Sequence, residues 1–146
     1  MAETLGMLCD KLTIVKLKEY HTSETDSLQS LATQASQLQT EIDEYISDAV
    51  SGNILPERMV FASNKVFKKE GNAVPDVVGN IGEIFYRLAD VNCRLWHEQE
   101  KVYEFETVVP EEKNDVVKQL ALLNLERNKC IDAINTGLAE LIKTKN

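Results

Sequence analysis

The sequence predicts an all-α protein: an antiparallel four-helix bundle made of two duplicated helical hairpins, with a short extra helix in the connection. Apolar residues recur every three or four positions over most of the chain, which is the spacing of one helix face. The chain also contains two copies of one pattern, and such a repeat indicates duplicated structural units. We therefore expect one helical domain over residues 1–146, with repeat units 3–50 and 79–142 and a connecting segment 51–78.

The two repeat units align at two constant offsets. His21 aligns with His97, 76 residues later, and the residues that precede each histidine keep this offset. Ile42 aligns with Ile131, 89 residues later. The second hairpin therefore contains 13 more residues than the first. Shared between its two arms, these residues would lengthen it by about two helical turns, or roughly 10 Å.

Each of the four predicted helices has one apolar stripe that should face the core. In chain order the stripes are Leu5, Leu8, Leu12 and Val15; Leu28, Leu31, Ala35, Leu38, Ile42, Tyr45 and Ala49; Ile81, Ile84, Leu88, Val91 and Leu95; and Leu120, Leu123, Ile131, Ile134, Leu138 and Leu141.

Short connections between these stripes indicate antiparallel neighbours. The first hairpin turns at about Thr22 to Asp26, and the second at about Thr107 to Pro110, where the proline suits the first position of a helix. In the connecting segment, Pro56 followed by apolar residues up to Phe67 predicts the short extra helix.

Composition excludes several classes of function. A formal net charge of −8 repels phosphate backbones, so we expect no nucleic-acid binding. No apolar run approaches the roughly 20 residues of a membrane span, and the first residues do not resemble a secretory leader. The three cysteines have no metal-ligand spacing and should act as small apolar side chains. We expect a cytoplasmic protein without membrane attachment.

The two histidines suggest a metal site. Each has a glutamate three residues later, His21 with Glu24 and His97 with Glu100. Residues at this spacing share a helix face, so the two pairs together could supply nitrogen and carboxylate ligands to a divalent metal. The simpler interpretation is an exposed hydrogen bond at each helix end. At 100° per residue, His97 lies among charged residues on one side of its helix. The two histidine-glutamate pairs could therefore meet at one metal only through a second subunit or a different packing of the helices.

The first helix is apolar on a second side, which predicts an interface. Met7, Ile14 and Leu17 lie away from its core stripe, where the second copy has mostly charged residues. Such a side must be covered. Either residues 54–67 cover it, or a protein partner or a second copy of the chain does.

Polar residues interrupt the stripe of the last helix. Arg127 and Asn128 could form a pocket for a carboxylate or phosphate. The alternative is a hydrogen-bonded network, including Asn124 and Asn135, that fixes the register of the helices.

Familiar catalytic patterns are absent from the sequence. The six glycines form no phosphate-binding loop, and no serine or cysteine lies at a diagnostic distance from histidine and acid. The all-α nucleotide pyrophosphohydrolases hold Mg²⁺ with paired ExxE and ExxD sets, and the acidic runs here lack a complete pair.

Two stretches carry a resemblance to known proteins. They are Asp10-Lys11-Leu12-Thr13-Ile14 with Leu17-Lys18 and His21, and Leu123-Asn124 with Arg127-Asn128 and Ile131-Asp132. They resemble the signature stretches of a family of small helical bacterial proteins of unknown function, some encoded near cell-surface polysaccharide genes. The resemblance covers about a quarter of the chain and implies a helical, non-secreted protein. It implies no catalytic residues, because the family has no established activity.

These observations favour a non-enzymatic interaction or assembly protein. We expect it to self-associate as a homo-oligomer or to dock on a protein partner through helix faces, without a cofactor. The alternative is a metal-dependent hydrolase or metal-binding module that uses the repeated histidine-glutamate pairs and a divalent metal.

Overall fold

The computed structural model describes residues 3–61 and 76–145, and it confirms the all-α prediction. Over these residues the chain forms four α-helices and two short 3-10 turns. The helices are α1 (Leu5–His21), α2 (Thr25–Ser51), α3 (Ile81–Tyr103) and α4 (Pro110–Lys145), and the turns are Pro56–Arg58 and Phe105–Thr107. None of the described helices is both long enough and apolar enough to cross a membrane.

Local sequence signals begin and end the helices. The Thr4 hydroxyl accepts a hydrogen bond from the Met7 amide at 3.4 Å and caps α1. Asn80 and Glu83 form a capping box at the start of α3. Pro110 is the first residue of α4, as predicted. Gly52 ends α2 with a φ of 87°, a left-handed conformation that glycine adopts without a steric penalty.

Helix α1 lies between the other three helices. It contacts α2, α3 and α4, and α3 packs along α4. Asp10 contacts Arg127 and Gly6 contacts Asn135, so α1 and α4 run in opposite directions. The main neighbour of α2 is α1.

Helices α3 and α4 are longer than α1 and α2, the helices that they align with in the predicted repeat. Helix α3 has 23 residues against 17 in α1. Helix α4 has 36 residues against 27 in α2. At 1.5 Å per residue, these differences add about 9 Å to one arm and about 13 Å to the other.

Burial follows most of the predicted stripes. The most completely buried large side chains include Leu88, Val91 and Ile134. The assignment of Leu141 to the core is wrong, because its side chain is 60% exposed while that of Ile142 is 6% exposed. The four-residue step from Leu138 to Ile142 stays closer to the buried stripe than the three-residue step to Leu141.

The connecting segment is described only in part. The predicted helix from Pro56 to Phe67 is a single 3-10 turn over the described residues, followed by the fully buried Met59. That turn packs against α4. Residues 62–75 lie outside the described residues, as does the rest of this prediction.

Candidate functional site

A buried carboxylate joins three helices. Asp10 on α1 is 5% exposed and accepts two hydrogen bonds from Arg127 on α4. The Arg127 Nε lies 2.8 Å from Asp10 Oδ1, and its Nη2 lies 2.6 Å from Oδ2. Asn92 on α3 donates to the same Oδ1 at 3.0 Å. A bidentate pair with an added amide donor fixes the positions of the three helices strongly.

Thr13 completes this polar cluster. Its hydroxyl donates to the Asp10 carbonyl at 2.8 Å, and its oxygen accepts a hydrogen bond from Asn92 Nδ2 at 2.6 Å. The hydrogen bonds from Arg127 to Asp10 raise the pKa of the guanidinium above its ordinary value. Arg127 therefore stays charged, and the Asp10 carboxylate has a permanent counter-ion.

The N-terminal turn of α1 lies directly against α4. The Gly6 amide donates to the Asn135 Oδ1 at 2.7 Å, and Asn135 is 2% exposed. A Cβ on Gly6 would overlap the Ile131 carbonyl oxygen and lie 2.9 Å from Asn135 Oδ1. The φ of Gly6 is not left-handed, so its backbone conformation does not require glycine. The close approach of the two helices requires it, because they leave no room for a Cβ.

Beside the polar cluster, an open groove of about 630 Å³ runs between α1, α2 and α4. We call it the groove. Met7 and Ile14 lie along it on α1, Leu38 and Glu41 line it on α2, and Arg127 lies on its α4 wall. Met7, Ile14 and Leu38 are half-buried. Apolar and charged groups therefore meet on one concave surface.

A second cavity, of about 440 Å³, lies between the C-terminal half of α1 and the middle of α3. We call it the aromatic cleft. It is lined by Thr13, Lys16, Leu17, Tyr20, His21, Ala89, Cys93, Trp96 and His97. The imidazole of His21 stacks on the indole of Trp96, with ring centroids 4.7 Å apart and planes within 9°. The lining is almost entirely apolar and aromatic in its exposed surface.

The structure brings two of the four predicted metal ligands, His21 and His97, to the aromatic cleft, whereas Glu24 and Glu100 do not line it. Both histidines line it, but His21 stacks on Trp96 and His97 Nδ1 lies 3.6 Å from Glu100. Glu24 accepts a hydrogen bond from the Ser27 hydroxyl at 3.0 Å. Over residues 3–61 and 76–145, no three histidine, cysteine or acidic side chains are grouped for a metal ion.

The predicted interface residues of α1 divide between the two cavities. Met7 and Ile14 lie along the groove, whereas Leu17 lines the aromatic cleft. Residues 7 and 14 are nearly aligned on a helix at 100° per residue, while residue 17 lies about 60° from residue 14. The residues predicted to form one apolar side of α1 therefore belong to two separate surfaces.

The predicted anion pocket is occupied by a carboxylate of the same chain. Arg127 and Asn128 both line the groove. The carboxylate that Arg127 binds belongs to Asp10 of the same chain. Asn135, predicted as part of a network, does form a buried hydrogen bond, whereas Asn124 is exposed.

The three cysteines differ in their environments. Cys9 and Cys130 are buried, and burial raises the pKa of each thiol to about 11. Both therefore remain protonated and unreactive at neutral pH. The expectation that all three act as buried or half-buried apolar side chains is wrong for Cys93, which is exposed and lines the aromatic cleft.

Sequence reasoning missed three members of the polar cluster. Asp10 and Thr13 lie three residues apart on one helix face, and Asn92 directly follows the buried Val91 within an apolar stripe. A polar residue inside a stripe signals a buried hydrogen bond, but not its partner. The distance of 117 residues between Asp10 and Arg127 leaves no local signal for their pairing.

Comparisons with known proteins give no match for this chain. No protein-family model, no curated protein and no solved structure matches it.

Proposed function

We propose that this protein is a non-enzymatic interaction module that binds an amphipathic helix of a protein partner in the groove. The observation that carries the proposal is the incomplete cover of α2. Only Leu31 and Ala49 of its 27 residues are buried. A helix with one long apolar seam is stable in water when a neighbour covers that seam.

The half-buried seam continues onto α1. Leu38 and Ile42 on α2 are half-buried, and so are Met7 and Ile14 on α1. Leu38, Met7 and Ile14 line the groove. An inserted helix would contact apolar side chains on two walls at once, which is the usual mode of helix recognition in a groove.

Charge indicates the kind of partner. Helix α2 contains five acidic residues, Asp26, Glu41, Asp43, Glu44 and Asp48, and no lysine or arginine. Glu41 lies on the α2 wall of the groove, whereas Lys11 and Lys18 lie on its α1 wall. A partner helix that places lysine or arginine against α2, beside its apolar stripe, would complement Glu41.

The other walls of the groove are held in place. Arg127 and Asp10 both line it, and their bidentate pair ties α1 to α4. A wall positioned in this way loses little conformational entropy when a partner binds. This pair also joins the two stretches that resemble the helical bacterial family. Membership of that family remains a proposal.

The proposal is tested with a synthetic amphipathic helical peptide that has a leucine stripe flanked by lysines, measured by calorimetry. We expect saturable one-to-one binding that Glu41→Lys weakens about tenfold through charge repulsion. Asp43→Lys is the matched control, since it makes the same charge change on the opposite side of α2. We expect it to leave binding nearly unchanged.

Ile14→Glu should abolish peptide binding while the chain remains folded by circular dichroism. Leu141→Glu is its control, since this residue is exposed and lies outside the groove. Equal binding of a glutamate-flanked peptide, or equal effects of Glu41→Lys and Asp43→Lys, would contradict the proposal. Self-association across a concentration series that Ile14→Glu abolishes would replace the foreign partner with a second copy of the chain.

Two further expectations stand as proposals beside this one. The opposite directions of α1 and α4 support an antiparallel four-helix bundle of two duplicated hairpins in one domain.

The metal-binding alternative through His21, Glu24, His97 and Glu100 is tested by elemental analysis of untagged protein. Melting temperatures that Zn²⁺, Mn²⁺ and Mg²⁺ leave unchanged would remove it.

A further inference from the structure

The aromatic cleft has a preformed stacking wall. Tyr20 meets His21 edge-on with ring centroids 5.2 Å apart, and His21 stacks on Trp96. Tyr20 is 84% exposed, so this aromatic series extends to the surface. Aromatic side chains arranged in this way offer flat faces and edges to a further planar ring.

Small side chains of α3 also line the cleft and leave room in it. Ala89 and Cys93 lie four residues apart on one face of α3 and both line the cleft. The resulting volume of about 440 Å³ lies within the range of about 300–1,000 Å³ typical of small-molecule pockets. A larger side chain at either position would occupy this space.

The charges of the lining select the sign of a ligand. The chain has a net charge of −8, yet none of the nine lining residues is acidic. Lys16 contributes an ammonium group that forms no ion pair within the part of the chain that the structure describes. The imidazoles of His21 and His97 add polar nitrogens at the rim, where Glu100 contacts His97 from outside the lining.

From these three features we infer that the aromatic cleft binds a small planar aromatic carboxylate. The ligand's ring lies against the Trp96 and His21 wall, over Ala89 and Cys93, and its carboxylate pairs with Lys16. The site is separate from the groove and does not depend on the proposed partner helix. It would give the protein a second kind of ligand, recognised by stacking and one charge.

The inference is tested with naphthoate as the probe and the full chain labelled for NMR. Trp96 is the only tryptophan, so its indole N–H signal reports on the cleft without ambiguity. We expect this signal to shift saturably with naphthoate. Naphthamide, which has the ring without the charge, and octanoate, which has the charge without the ring, should bind several-fold more weakly.

Three variants locate the site. Cys93→Leu should weaken binding about tenfold by filling the cleft, and Lys16→Gln should weaken naphthoate by about threefold to tenfold without changing naphthamide. Lys143→Gln removes an exposed lysine near the C-terminal end of α4, outside the cleft, and should change neither ligand's binding. No saturable shift of the Trp96 signal at millimolar naphthoate would overturn the inference. Binding that Cys93→Leu leaves intact, or equal binding of naphthamide, would also overturn it.

Discussion

The two sides of α1 are packed by different means. Towards α3 and α4, paired polar groups hold it: Asp10 binds Arg127 and Asn92, and the Gly6 amide binds Asn135. Towards α2, the contact is an apolar seam that is only half covered. On α2 the Tyr45 hydroxyl is buried without a hydrogen-bond partner among the described residues.

The two kinds of contact differ in how strictly they fix the position of one helix against another. Buried polar groups must meet their partners in one geometry, since an unpaired group costs free energy, so they fix the register of α1 against α4. Apolar contacts have no direction, so we expect them to fix the register of α2 against α1 less strictly. A surface of this second kind can admit another helix, and three pairs of substitutions test the contrast.

Removing the Asp10 carboxylate should have the largest effect. Asp10→Ala leaves the Arg127 guanidinium without its acceptor and removes one of the two acceptors of the Asn92 amide. We expect a loss of about 3 kcal/mol in the free energy of unfolding. Asp90→Ala is the matched control, because Asp90 pairs with Arg94 at 3.1 Å on the surface. It should cost less than about 0.5 kcal/mol. Denaturant unfolding measures both, and equal losses would show that the cluster does not hold α1.

The close approach of α1 to α4 is tested at the glycines that the repeat aligns. Gly6→Ala should destabilise the protein by about 1–3 kcal/mol, although alanine favours helices, because its Cβ meets the Ile131 carbonyl. At the aligned Gly82, no atom lies within 4 Å of an added Cβ. Gly82→Ala should therefore stabilise the protein by up to about 1 kcal/mol. Thermal unfolding compares the two, and the same sign for both would contradict the packing of α1 against α4.

The smallest effect should come from the α2 side. Ile42→Ala removes a half-buried side chain from the α2 seam, and we expect a loss of about 1 kcal/mol in the free energy of unfolding. Ile134→Ala, the same substitution at a fully buried position of α4, should cost about 2–5 kcal/mol. Native-state hydrogen exchange adds a second measurement: amides of α2 should exchange faster than those around Ile134. Equal protection in both helices would mean that α2 is as firmly packed as α4.

The elements could be predicted from the sequence because their signals are local. Apolar spacing placed all four helices, Pro110 marked the start of α4, and the repeat offsets anticipated its greater length. The error at Leu141 came from the same rule, since a three-residue step and a four-residue step both fit an apolar stripe. The composition of the stripe does not distinguish them.

The candidate sites could be predicted only in fragments. Arg127 and Asn135 were visible as polar interruptions, and Met7, Ile14 and Leu17 as a second apolar side. The identity of the Arg127 partner was not visible, because it depends on how α1 lies against α4. Nor did the sequence indicate that Trp96 stacks on His21, since Trp96 aligns with Tyr20 in the repeat and had no separate signal.

The sequence by itself determined the helical class, the positions of the helices along the chain and the acidic character of α2, because periodicity, caps and charge act within a few residues. The tertiary structure decided which polar groups meet and which apolar faces stay open. It divided Met7 and Ile14 from Leu17, and it brought both histidines to one cleft. The physical reason is that these outcomes depend on the rotation of each helix about its axis. Contacts between residues about 80 to 130 positions apart set that rotation.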